Sequence, residues 1–202
     1  MENRKIIIAT NNPGKFIEIK ESLKEVPVEF VTPEQAGVTL DAEETGKDYA
    51  ENALIKARDC HEKSGLWVIA DDSGLVVSAM PDALGLKTRR FGKGENATDQ
   101  EWVDYFLEQM EKQNDRSAKF ICYAALIING EEHVFSGEIE GVITEELEAP
   151  ILHGLPLSSC FKPVGSDNVY AALTREEKNE ISHRGRAFSQ VKKFLNDRLN
   201  VE

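Results

Sequence analysis

The 202-residue chain carries 36 acidic against 24 basic residues, a net charge of -12, which argues against a general nucleic-acid or anionic-membrane surface. Its 41% hydrophobic and 30% charged content is ordinary for a soluble globular protein able to bury a full core, here as a single domain over 1–202 with room for two lobes about a cleft. No apolar run approaches the ~18 residues of a membrane helix, and the apolar stretch after Met1-Glu-Asn-Arg-Lys5 is too short for a signal peptide, so a cytoplasmic protein that binds neither membrane nor nucleic acid is expected.

Lys5 to Thr10 reads as a first strand. After the turn Asn11-Asn-Pro-Gly14, a helix is predicted to about Glu25, with Phe16, Ile19 and Leu23 on one face. A second helix is predicted from about Asp48 to Lys63, where Tyr49, Ala53, Ala57 and Cys60 form an apolar stripe and Lys56 lies off it. Leu66 to Ala70 is a buried strand, and a second apolar run resumes at Leu75, which places Asp71-Asp72-Ser73-Gly74 at a strand end. A third helix starts at Thr98, whose spacing to Glu101 fits a capping box, and carries Trp102, Phe106 and Met110 inward. Lys119 to Ile128 and His133 to Ile143 flank Asn129-Gly130, a strong hairpin signal, and should pair antiparallel. Ala149 to Asp167 is loop-rich, and a last helix is predicted from near His183 to about Leu199, burying Ala187, Val191 and Phe194 or Leu195. Helices and strands mix without a regular βαβ repeat, which predicts an α/β or α+β fold with a mixed sheet.

Adjacent carboxylates between two hydrophobic runs are either a turn, since Asp, Ser and Gly are all turn formers, or a place to hold a divalent cation. Taken alone, Asp71 and Asp72 leave both open. Thr10-Asn-Asn-Pro-Gly-Lys15 joins a strand to a helix, where backbone amides and the Lys15 ammonium can converge on an anion. It is not a Walker A loop, because Ala9 replaces the first glycine and Phe16 stands where a hydroxyl belongs. Glu44, ahead of the second helix, is either a third carboxylate for Mg²⁺ or a partner of the helix dipole. Lys178, His183 and Arg184 fall within seven positions in Glu177-Lys-Asn-Glu-Ile-Ser-His-Arg-Gly185, which either faces an anionic or purine-bearing ligand or is a solvated capping segment at the opening of the last helix. Cys60, Cys122 and Cys160 and the four histidines show no zinc-type spacing.

Taken together, these segments resemble the inosine triphosphatase family, the nucleoside-triphosphate pyrophosphatases that clear inosine and xanthosine nucleotides. The resemblance runs from about Ile6 to Leu195 and rests on Ala9-Thr-Asn-Asn-Pro-Gly-Lys15, Glu44-Thr-Gly, Glu51-Asn-Ala-Leu-Ile-Lys56-Ala, Ala70-Asp-Asp-Ser-Gly-Leu75, Gly141-Val-Ile-Thr144 and Glu177 to Gly185. It implies a mixed twisted sheet with two lobes about a substrate cleft, a homodimer, and Mg²⁺-dependent hydrolysis between the α- and β-phosphates to monophosphate and pyrophosphate. By motif position Thr10, Asn12, Lys15 and Lys56 would handle phosphates, Lys15 also assisting catalysis. Glu44 and Asp71 would hold metal, Asp72 would activate water or share the metal, and Ser73 would contact substrate. Lys178, His183 and Arg184 match nucleobase-contacting positions, and Arg90 matches an arginine of the family.

Two segments depart from the family pattern. The base-pocket loop usually reads Gly-Phe-Gly-Tyr-Asp-Pro-x-Phe, and here it is Gly154-Leu-Pro-Leu-Ser-Ser-Cys-Phe161. Leu155 cannot stack as a ring does, Pro156 lacks a donor, and Ser158 is neutral where a carboxylate is expected. In Pro81 to Arg90, Leu84 replaces a proline and Arg89 adds charge. Base preference among ITP, dITP and XTP is therefore left open, and a nucleotide-binding homologue without turnover is the second reading. A haloacid-dehalogenase-like phosphatase ranks below both, because its two aspartates are separated by one residue.

Overall fold

The computed structural model describes residues 4–81, 84, 94 and 96–199. Six strands form one mixed sheet in the order β2-β1-β3-β4-β5-β6: β1 Lys5–Ile8, β2 Glu29–Val31, β3 Trp67–Val77, β4 Ser117–Ile128, β5 Glu131–Ile143 and β6 Phe161–Pro163. β1 lies parallel to both β2 and β3, while β3, β4, β5 and β6 pair antiparallel in turn. Among the described residues five α-helices accompany them: α1 Pro13–Ser22, α2 Tyr49–Ser64, α3 Asp99–Met110, α4 Arg175–Ile181 and α5 His183–Leu199.

The sheet is covered on both faces at its β1 end, so Ile6, Ile7 and Ile8 are all fully buried and the strand reads as a continuous apolar run. Ile6, Ile8 and Ile69 face α1 and α5, whereas Ile7, Val68 and Ala70 face the small side chains Ala53, Ala57 and Cys60 of α2. Farther along β3, Leu75 and Val77 join a separate core with Trp102, Phe106 and Met110 of α3 and with Phe161 and Tyr170. The first and third of these cores occupy the same face of β3, because Ile69, Leu75 and Val77 share its two-residue period. Between them on that face stand Asp71 and Ser73. The two lobes expected from the family resemblance are these two cores, and the cleft opens where the strand exchanges apolar for polar residues.

The structure corrects the sequence reading at three places. The double aspartate is neither in a turn nor at a strand end: β3 runs unbroken through it, with Asp71 opposite Ala124, Asp72 opposite Tyr123, Ser73 opposite Cys122 and Gly74 opposite Ile121. Ladder pairing with β4 outweighs the local turn preference of Asp-Asp-Ser-Gly. Neither short edge strand, β2 nor β6, has a strong pattern of its own, and β6 forms inside the segment expected to be loop. The segment carrying Lys178 is not the opening of the last helix but a separate helix, α4, started by a Thr174–Glu177 capping box and divided from α5 at the extended Ser182. The other elements fall where periodicity and caps place them, including the Thr98–Glu101 capping box of α3 and a hairpin whose Asn129 and Gly130 both take positive φ.

Candidate active site

β1 hydrogen-bonds β3 only as far as Ala9, whose amide donates to Ile69 O at 2.7 Å. The chain then leaves the sheet for α1, and the part of β3 beyond Ala70 is paired on the β4 side alone. This is the crevice outside the carboxyl end of a parallel strand, a common place for ligands. A cavity of about 750 Å³ fills it. Every described residue expected at the site lines this cavity: Thr10, Asn12, Lys15, Glu44, Lys56, Asp71, Asp72, Ser73, Ser158, Lys178, His183 and Arg184. Arg90 lies outside the described residues.

Because successive strand residues point to opposite faces, the two aspartates meet different helices. Asp71 turns toward α1 and α5: its Oδ2 takes the Lys15 ammonium at 3.1 Å and Arg184 Nη2 at 3.4 Å, while its Oδ1 is buried without a partner. Burial alone would raise its pKa, but Lys15, Arg184 and Lys56 outweigh it and hold the carboxyl well below the usual carboxylate range. Asp72 turns toward α2, where Lys56 lies 3.2 Å from Oδ1 and Asn52 Nδ2 donates to Oδ2 at 3.2 Å. Burial raises its pKa above the ordinary value. Lys56 and Lys15 oppose that shift, and the like charges of Glu44 and Asp71 add to it. One carboxylate is thus fixed as an anion, and its neighbour is primed to accept a proton.

The remaining charges are arranged in pairs. Lys56 bridges Asp72 and Glu44, at 3.1 Å from the latter. Burial works against its charge, and Asp72, Asp71 and Glu44 more than restore it. Glu18 of α1 accepts from Arg184 Nη1 and pairs with Lys178 at 2.8 Å, so it joins α4 and α5 to the same wall. Burial opposes its ionisation, but Arg184 and Lys178 hold it below the ordinary glutamate value. Arg184 Nη2 also donates to Ser73 Oγ at 3.0 Å. His183 is buried, with its ring 4.8 Å from Phe120 and nearly parallel to it. Burial, reinforced by Arg184, pushes its imidazole well below its ordinary value, so it stays neutral.

Some expected residues are committed to the protein. Asn12 caps α1 by accepting from Lys15 N at 3.1 Å, and its Nδ2 donates to Gly154 O at 2.8 Å. Thr10 Oγ1 accepts from Asn12 N at 3.1 Å, which leaves its own proton to donate. The Ser158 hydroxyl turns back to donate to Leu155 O. Gly154 holds φ +76°, and a Cβ there would lie 2.7 Å from Asn12 Oδ1. The departing loop is therefore pinned to the start of α1 whatever its side chains.

For a metal, the donor set is of the right kind: hard carboxylate oxygens, with the unpartnered Asp71 Oδ1 among them. Among the described residues no three Asp, Glu, His or Cys side chains already converge on one point. Glu44 and Asp72 are gathered instead around the Lys56 ammonium. That fits Mg²⁺, which takes one or two protein carboxylates and fills its octahedron with water and substrate phosphate. The three cysteines, which show no zinc-type spacing, are free and buried.

Residues missed by the sequence reading complete the cavity. Glu18 follows Lys15 by three positions and Asn52 precedes Lys56 by four, spacings that share a helix face and could have drawn notice. Trp102, Phe120 and Tyr170 also line it, and only the tertiary fold brings them there.

Comparison with known proteins identifies the family. The profile of the Ham1 family matches residues 6–194. The chain is similar to the dITP/XTP pyrophosphatase of Oceanobacillus iheyensis, at 38% identity over 95% of this chain and 98% of that one. It is also similar to that of Leptospira interrogans, at 33% identity over 95% and 97%. The solved HAM1 protein of Coxiella burnetii superposes with a TM-score of 0.83 at 36% identity, covering 96% of this chain and 99% of that one. For the Staphylococcus aureus Ham1 protein the values are 0.82, 30%, 96% and 100%. The resemblance carried by the motifs is borne out over nearly their whole span, and the chain belongs to the Ham1 family.

Proposed function

We propose that this protein is a Mg²⁺-dependent nucleoside-triphosphate pyrophosphatase that hydrolyses non-standard purine nucleotides such as dITP, ITP or XTP to the monophosphate and pyrophosphate. What carries the reading is the division of labour between Asp71 and Asp72 on opposite faces of β3 at the floor of a cation-lined cavity. The names of the relatives, dITP/XTP pyrophosphatase, support the substrate class.

Attack on a phosphate anhydride requires neutralisation of the oxygens and an oriented water. Lys15 and Lys56 supply positive charge from the two sides of the strand. Asp72, its pKa raised by burial, accepts the proton of the attacking water. Glu44 and Asp72, gathered on one side of the strand, would hold Mg²⁺, which when bound would polarise the phosphoryl oxygens. Lys178, neutral His183 and Arg184 line the same cavity and would contact the nucleobase. Asp71 keeps Lys15 and Arg184 in place.

A homodimer working in the cytoplasm belongs to the same proposal and rests on the family resemblance and the sequence. Size-exclusion chromatography with light scattering tests the dimer. Among the described residues no helix is long and apolar enough to cross a membrane. A second reading, a nucleotide-binding homologue without turnover, draws on the altered wall Leu155-Pro156-Leu157. A panel of inosine, xanthosine, standard and modified triphosphates with Mg²⁺, assayed for pyrophosphate and monophosphate, decides between them. Release from at least one non-standard purine nucleotide is expected, and tight binding with no product from any would establish the second reading.

A further inference from the structure

The chain holds two tryptophans, and they differ in one respect. Trp67, at the β1 edge of β3, donates its indole N–H to Asn129 Oδ1 at 3.1 Å and lies under the Arg4 guanidinium. Trp102, on the first turn of α3, is 5% exposed and lines the cleft, and its buried Nε1 has no hydrogen-bond partner among the described residues. An indole nitrogen is a donor only, and a buried donor left unpaired costs about 1–3 kcal/mol. Buried polar groups without partners are rare enough that each asks for a reason.

The surroundings of Trp102 supply one. Leu155, Pro156 and Leu157 make the neighbouring wall apolar, and the one hydroxyl among them, on Ser158, is turned onto Leu155 O. The aromatic wall of the cleft is formed by Phe120, stacked on His183 at 4.8 Å and on Tyr170 at 5.8 Å. A planar heterocycle seated against these rings would find no free side-chain donor on the 155–158 loop. The unpaired indole N–H is the donor at hand in α3.

We infer that Trp102 is a specificity-determining residue, whose indole N–H donates to a carbonyl or ring-nitrogen acceptor on the edge of the bound nucleobase. The inference rests on the nucleotide reading of the cleft. Nε1 is shielded from water while the ring lines the cavity, so seating the base requires the wall around the indole to give slightly. Side-chain adjustments of this kind are common on binding. The donor then acts in a dry site, where losing it costs discrimination among bases and leaves the phosphate chemistry untouched.

Two measurements test this. In a Trp67→Phe protein, Trp102 is the sole indole. Inosine monophosphate should shift or quench its emission, and inorganic pyrophosphate alone should not. In Trp102→Phe, which keeps an aromatic ring and removes the N–H, KM for dITP should rise about tenfold, with kcat and the inhibition constant of pyrophosphate within about twofold of the parent. An unchanged KM for every base, or an emission that ignores inosine monophosphate, overturns the inference and leaves the pyrophosphatase reading standing. Equal weakening of dITP and pyrophosphate assigns Trp102 a purely structural role and overturns it as well. Absence of pyrophosphate release by the parent protein overturns both.

Discussion

At the scale of single residues, two chemically identical side chains one position apart have opposite electrostatic fates. Asp71 is surrounded by Lys15 and Arg184 and cannot be protonated at any ordinary pH, so it is a fixed counter-charge. Asp72 is crowded by Glu44 and Asp71, desolvated, and only partly compensated by Lys56. Asp72→Asn removes the proton acceptor while keeping the shape and is expected to lower kcat by at least about a hundredfold. Glu18, one carboxylate serving both Lys178 and Arg184, is a positioning residue. In Glu18→Gln those cations lose their shared anchor, and KM for nucleotides should rise roughly tenfold with kcat retained.

At the scale of elements, the cleft depends on where strands and helices stop. β1 ends at Ile8 while β3 continues to Val77, and that mismatch in length leaves the floor of the site open on one side. α4 and α5 approach so closely that a Cβ on Gly185 would lie 1.9 Å from Asn179 O. Gly185→Ala must push the two helices apart. Lowered thermal stability by calorimetry and loss of the Lys178–Glu18 contact are expected, and a variant with unchanged melting and unchanged KM would contradict this. Much of this level was legible in the sequence. Capping at Thr98, the Asn129-Gly130 turn and the apolar stripes of α2 and α5 are local signals that the fold leaves in place. The unbroken β3 was not legible, because its continuity is owed to pairing with β4 rather than to its own residues. Helix α4 was available in the Thr174-x-x-Glu177 pattern, whereas the sequence reading starts a helix only near His183. The motifs named most of the site, yet Trp102 and Phe120 carry no mark until the chain folds.

At the scale of the molecule, three cores share one strand, and the polar interval between the first and the third carries the chemistry. The site gathers buried charges whose protonation is tied to folding. His183 is held neutral in the native state with its pKa depressed, so below about pH 6.5 the unfolded chain takes up a proton that the native one refuses. Its contribution is therefore complete above that pH and declines as the pH falls. Asp71, also depressed, adds stability above the ordinary carboxylate value that is lost as pH falls through its native value. Asp72, raised in the native state, works in the opposite sense between its two values. Thermal melts between about pH 7.5 and 5.5 should show falling stability in the parent and a flatter slope in His183→Phe; equal slopes would contradict the buried neutral imidazole. The account as a whole turns on Asp72 as the base for hydrolysis of a nucleoside triphosphate. Its most direct test is the yield of monophosphate and pyrophosphate from dITP with Mg²⁺ by the parent and by Asp72→Asn side by side. Stoichiometric release of both products by the parent and near-complete loss in the variant is predicted, whereas equal turnover by the two proteins, or orthophosphate as the product, would contradict it.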